Sequence, residues 1–244
     1  MGHQQSQNQN TNALAELGLA SAGIIHEVKN SLQSVANALL LLENEPGLSP
    51  HSRQLVAIAR SELSRTFDVS TQSLALVREE TPVAVSMTKV LEEVLNTYAA
   101  KIAHKQITVE RRYEFNGMIQ GNPGAIRQMF SNIVVNALES APRETGKLLI
   151  HTHARREKSR GGEVPGVQIE FADNGPGIPN EIRERIFEPL FSTKQGKGSG
   201  LGLWVTHRLV LKQNGWLRLL GNTEGIHSGT CFSIFLPLNL APTN

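Results

Sequence analysis

The sequence predicts an all-α helical hairpin, pairing with a second copy into a four-helix bundle, followed by an α+β sandwich with a mixed, mostly antiparallel sheet. Three observations carry that prediction: two heptad seams before residue 80, a Thr81–Pro82 break, and short strand patterns interleaved with helix patterns beyond it.

The first seam runs through Leu14, Gly18, Ser21, Ile25, Val28, Leu32, Val35, Leu39 and Leu42 in steps of four and three. Pro46, Gly47 and Pro50 end that helix and turn the chain. A second seam follows at Val56, Ala59, Leu63, Phe67, Ser70, Leu74 and Val77. A lone hairpin buries each seam on one side only, so pairing of two hairpins is the economical solution and implies a homodimer.

Proline at 82 cannot continue the helix, and the pattern changes character there. Helices are expected at Ser86–Lys101, Pro123–Ser140 and Gly202–Asn214. Strands are expected at Ile107–Arg112, Leu148–Ala154, Val167–Ala172, Trp216–Leu220 and Thr230–Leu236. The organisation is thus a disordered lead or cloning scar over residues 1–12, the hairpin over 13–80 and the α+β domain over 81–240.

A formal net charge of +2 is too small to imply nucleic acid, and the run Arg155, Arg156, Lys158, Arg160 lies among Gly and Ser, as in a solvated hairpin loop. The single Cys231 sits in the apolar pattern TCFSIFL, a strand-core setting that fits a reducing, cytoplasmic compartment. No apolar run reaches the ~18 residues that span a bilayer, so no membrane contact is expected of this segment.

Chemistry concentrates in the second domain. The strand VQIEFA runs into DNGPGI, which sets Asp173 at a strand end with Gly175 and Gly177 just after it. FEPLFSTK and then GKGSGLGL lead into a helix, whose first amides suit phosphate. This is not a P-loop, because no Lys-Ser/Thr pair follows the last glycine, and no G-x-G-x-x-G follows a strand. Upstream, NIVVNALES places Asn132, Asn136 and Glu139 on one face of an unusually apolar helix, where polar groups need partners.

With these motifs the chain resembles the ATP-binding domain shared by sensor histidine kinases, DNA gyrase, the Hsp90 chaperones and MutL, and within that group the histidine kinases. Asn132 and Asn136 fall on the family's asparagine box, Asp173 to Gly177 on its first glycine box, Phe187 to Phe191 on its phenylalanine box, and Gly198 to Gly202, with Gly200 and Leu201, on its second. The resemblance implies that Asp173 accepts a hydrogen bond from the adenine amino group of ATP, that Asn136 coordinates Mg²⁺, and that Asn132 assists around the phosphates. It makes residues 188–199 the ATP lid, with Thr193 or Lys194 reaching the terminal phosphates.

HEVKN, residues His26 to Asn30, resembles the phosphoacceptor box of the same kinases. By that resemblance His26 takes the γ-phosphoryl group, Glu27 accepts the other ring proton, and Asn30 orients water when such kinases act as phosphatases. The phosphoryl group would then pass to an aspartate on a response regulator. Ser31 stands where the family often has proline, which weakens any bend there. An ATP-hydrolysing clamp of the gyrase or Hsp90 kind would need a general base where Asn132 stands, and asparagine cannot be one; a pseudokinase scaffold is the other alternative. His151 and His153 alternate on one strand face, a spacing that could hold metal, but no further ligand is evident in the sequence, and strand surface is the default.

Overall fold

The computed structural model of the chain describes residues 31–77, 81–159, 162–193, 200–220 and 229–239. It divides into two compact units, one reaching residue 79 and a larger one of residues 80–191 and 200–244.

In the first unit, helix α1 covers residues 31–43 and helix α2 covers Pro50–Val77. Ser49 caps α2, its Oγ accepting from Ser52 N at 3.1 Å, and proline takes the first helical position, where no amide hydrogen is required. Gly47 turns the chain with φ +103°, and an Arg60–Glu43 ion pair ties α2 back to the end of α1. Of the seam residues, Leu32, Leu39, Val56 and Leu63 are half-buried, while Val35, Leu42 and Ala59 stay exposed. Leu40, Leu41, Leu55 and Ile58 are exposed as well, so the single hairpin leaves apolar surface on both helices. Seam residues Leu14 to Val28, and the side chains of Phe67, Ser70, Leu74 and Val77, lie outside the description.

The second unit is built on a five-stranded sheet of order β2-β4-β5-β7-β6: β2 (Thr108–Tyr113), β4 (Lys147–Ser159), β5 (Gly162–Asp173), β6 (Trp216–Leu220) and β7 (Thr230–Pro237). Only β2 and β4 run parallel; the other pairs are antiparallel. Helices α3 (Met87–Thr97), α5 (Pro123–Ser140) and α6 (Gly202–Lys212) form a layer against one face. Period-two alternation sends Leu148, Ile150, Val167, Ile169, Phe171, Phe232 and Ile234 into that interface, where they meet Met129, Phe130, Ile133, Val205 and Leu209. Phe130 of α5 packs on Phe171 of β5 with ring centroids 5.6 Å apart.

Four elements depart from the sequence expectation. The helix expected over Ser86–Lys101 breaks at Tyr98 into α3 and a short α4 (Ala99–Lys105), ended by Gln106 in the left-handed region at φ 54° without a glycine to announce it. Two four-residue strands, β1 (Val83–Ser86) and β3 (Met118–Gly121), form a small antiparallel sheet that the sequence pattern did not reveal. The β4–β5 ladder reaches out to a Ser159–Gly162 pair, so Arg155, Arg156 and Lys158 are strand residues rather than loop. Along β4 Arg155 pairs with Glu157 at 3.0 Å, and across the ladder Arg156 reaches Glu163 at 3.9 Å. Cys231 is buried on β7, as its apolar pattern predicted.

Both ends of α5 are tied down. Asn122 Oδ1 accepts from Ala125 N at 2.9 Å at its start. Lys105 Nζ donates to the carbonyls of Leu138 (2.6 Å), Glu139 (3.2 Å) and Ala141 (3.1 Å) at its end, where a cation also suits the helix dipole. Asn122→Ala should therefore cost about 1 kcal/mol and Asn122→Gly only a few tenths. Urea unfolding followed by tryptophan fluorescence measures this, since Trp204 and Trp216 both lie in the second unit; equal losses in the two variants would sink the cap assignment.

Candidate active site

The central strand β5 ends at Asp173, which is 3% exposed. Its Oδ1 accepts from Gly175 N at 2.8 Å, and the Ser140 hydroxyl of α5 stands 3.4 Å away. The backbone amide of Thr230, its register partner on β7, also favours the charged carboxylate. Burial pushes the Asp173 carboxyl above its ordinary value, and these hydrogen bonds pull the other way without cancelling it. Gly175 is required by close approach: a Cβ there would stand 2.7 Å from Asp173 Oδ1 and 3.0 Å from Ser140 Cβ. Asn174 pins the turn, accepting from Lys147 N at 2.7 Å and donating to Thr145 O at 2.8 Å.

On α5, Asn132, Asn136 and Ser140 make a half-buried stripe one turn apart, while Glu139 is exposed and pairs with Lys101 at 3.1 Å. The Asn132 amide is committed to α6: its Nδ2 donates to Gly202 O at 2.9 Å and to Thr206 Oγ1 at 3.1 Å, and its Oδ1 accepts from Gln128 Nε2 at 3.0 Å. Asn132 thus fixes where α6 begins. The helix starts at Gly202 behind a buried Leu201, whose side chain does not cap it, and the positive end of its dipole suits an anionic group. Gly200 precedes it at φ +67°, and a Cβ there would stand 2.5 Å from the Leu190 carbonyl carbon. Gly177 packs on Gly229, whose carbonyl oxygen is 3.1 Å from where its Cβ would be.

The structure therefore brings together Asp173, Gly175 and Gly177 at one strand end, and Asn132 with Gly202 at the start of α6. Thr193 is exposed. His26, Glu27, Asn30, Lys194 and Gly198 lie outside the described residues. Sequence reasoning placed Thr230 at the start of the closing strand motif without a role at the site, and did not single out Ser140 or Thr206. Ser140 had a signal, since it sits one turn beyond Asn136, but the other two act across more than fifty residues of chain.

A buried carboxylate at a strand end, a glycine turn and an uncapped helix start on a helix-on-sheet layer define an ATP-binding domain. Residues 121–240 match the family described as histidine kinase-, DNA gyrase B-, and HSP90-like ATPase. The chain is 30% identical over 247 residues to the sensor kinase CckA of Brucella abortus, across 96% of this chain and 25% of that protein. It is 29% identical over 234 residues to the sensory histidine kinase/phosphatase NtrB of Rhodobacter capsulatus, across 93% and 63%. The crystal structure of full-length ShkA in complex with AMPPNP matches with a TM-score of 0.66 at 25% identity, over 92% of this chain and 46% of that one. Residues 121–240 belong to that ATPase family, and the chain carries a sensor histidine kinase catalytic core. It spans between about a quarter and a half of the length of the first curated relatives it matches. Among the described residues no helix is long and apolar enough to cross a membrane.

The raised Asp173 value has a consequence for stability. Between its ordinary value of 3.8 and the raised one, the folded state holds more protons than the unfolded state, so stability falls as pH rises through that window. Asp173→Asn removes the buried charge and keeps an acceptor oxygen. The variant should unfold at higher urea than the native chain near pH 7.5, with the gap closing as pH drops toward about 4. An equal or lower midpoint near neutrality would show that the donors around Asp173 fully offset its burial.

Proposed function

We propose that the chain is a histidine autokinase that binds Mg-ATP in the second unit and transfers its γ-phosphoryl group to His26. The observation that carries this reading is that one helix, α5, reaches both the buried Asp173 carboxylate, suited to an adenine amino group, and the start of α6, whose dipole suits phosphate. The AMPPNP held by the ShkA structure supports the same ligand class here.

Asn136, half-buried on the α5 stripe, offers an amide oxygen, a hard neutral ligand that fits Mg²⁺ alongside phosphate oxygens and water. When bound, that ion neutralises charge on the transferring group. Asn132 positions the phosphate-facing helix start, and Thr193, Lys194, Gly198 and Gly200 belong to the lid or its hinge. A neutral ring nitrogen of His26 attacks the γ-phosphorus in line; the P–N bond forms as the bond to the bridging oxygen breaks and ADP keeps that electron pair. Glu27 accepts the other ring proton. The phosphoramidate then passes to an aspartate of a response regulator, and Asn30 orients water for the reverse, phosphatase function.

Residues 13–80 act in this reading as the dimerisation and phosphotransfer hairpin and 81–240 as the catalytic domain. Exposed Val35, Leu42, Leu55 and Ile58 supply the apolar faces that a second hairpin covers. Ile58→Asp should accordingly shift the chain from dimer to monomer in sedimentation equilibrium; a native chain that is monomeric at tens of micromolar, or a dimer unchanged by the substitution, contradicts this arrangement.

Incubation with γ-labelled ATP and Mg²⁺ tests the chemistry. The native chain should acquire acid-labile, alkali-stable label. His26→Gln should lose the label and keep nucleotide affinity, whereas Asn136→Ala should lose at least about tenfold in Mg-ATP affinity or turnover, the scale of one charge-assisted contact. Phosphate release without protein-bound label would favour an ATPase clamp, and tight ATP binding with neither would favour a pseudokinase scaffold.

A further inference from the structure

The face of the sheet opposite the helix layer carries a cluster that nucleotide chemistry does not use. His151 and His153 are two residues apart on β4 and share a face, and the register sets Glu170 of β5 directly across from His151. One ligand atom from each of the three lies within 4.8 Å of the others. His151 Nδ1 is 3.5 Å from Glu170 Oε2, and the two imidazole rings stand 4.8 Å apart. Glu170 Oε1 is occupied by Gln168 Nε2 at 2.6 Å, which leaves Oε2 for the histidine side. From the other direction Glu114 Oε1 approaches His151 Nε2 at 3.3 Å, outside hydrogen-bond geometry. His153 Nδ1, shielded from solvent, has no hydrogen-bond partner among the described residues.

We propose that His151, His153 and Glu170 form a site for a divalent transition ion of the zinc class, with water completing the tetrahedron. Two imidazoles and a carboxylate are a donor set that suits Zn²⁺ and its borderline neighbours, and not Mg²⁺ or Ca²⁺, which take oxygen ligands. Ligands of a tetrahedral zinc ion lie about 3.4 Å apart, so the His151–Glu170 separation already fits and a shift of roughly 1 Å in the His153 ring completes the set. Ligation through His151 Nδ1 leaves Nε2–H facing Glu114, the carboxylate–histidine–metal arrangement that fixes tautomer and ring orientation. The nearby cations are already paired, Arg112 with Glu110 at 2.6 Å and Arg155 with Glu157 at 3.0 Å. Half-burial of all three ligands leaves a route for the ion and its water.

The test is a Zn²⁺ titration of the full chain, freed of metal and without nucleotide, against a chromophoric chelator. The native chain should take up one equivalent at micromolar or better affinity. Glu170→Gln should weaken it at least tenfold and His153→Asn about a hundredfold, with both variants retaining the native circular dichroism spectrum. A second readout guards against simple misfolding: Zn²⁺ should raise the unfolding midpoint of the native chain and leave that of Glu170→Gln unmoved. Equal affinity in the native chain and both variants, which would place the ion on other histidines, or uptake of less than one equivalent by the native chain, overturns the proposal.

Discussion

The carboxylate of Asp173 sits at the end of the central strand almost wholly out of water, and the elements around it are arranged by the need to satisfy it. Its donors come from the turn that follows β5, from the first residue of β7 and from the last turn of α5. A buried charge with no donors would cost several kcal/mol, so strand end, neighbouring strand and helix must dock together or not at all. The upward shift shows that the protein's own donors leave the charge under-compensated.

Helix α5 transmits that constraint through the rest of the second unit. Its apolar side seats Phe130 on Phe171, directly behind the strand end. Its polar stripe reaches Asp173 through Ser140 and α6 through Asn132. Because Lys105 holds its last carbonyls and Asn122 its first amides, the stripe has little freedom to slide, and the Asp173 carboxylate and the start of α6 are held by one rigid element. The Asn132 amide has a local structural duty, tying α5 to the first turn of α6.

What could be read in the sequence follows the strength of local signals. Pro123–Ser140 and Trp216–Leu220 were legible to the residue from their apolar periodicities. The break at Tyr98 was not legible, because neither glycine nor proline marks it, and the end of α4 was not, because its left-handed residue is Gln106 rather than glycine. Strands β1 and β3 are four residues long and gain their identity only from each other. The charged arm of β4 reads as a loop until its partner strand is known, since Arg155 and Glu157 alternate with no apolar face. At the site, Asp173 and its glycines declared themselves by order and spacing, while Asn132's partners lie 70 and 74 residues away and depend on tertiary docking.

The His151–His153 pair shows the same limit from the other side. Two histidines at strand spacing carry little information alone, and the third ligand becomes visible only when register places Glu170 across from them. The inward positions of β4 and β5 are committed to the core that holds Asp173, whereas the outward positions alternate with them and are free to carry unrelated chemistry. An ion there would clip together the two strands whose register also pairs Leu148 with Asp173. Since it would touch no nucleotide-facing residue, any influence on ATP must pass through the stiffness of that ladder, which separates a metal effect on the site from metal bound within it.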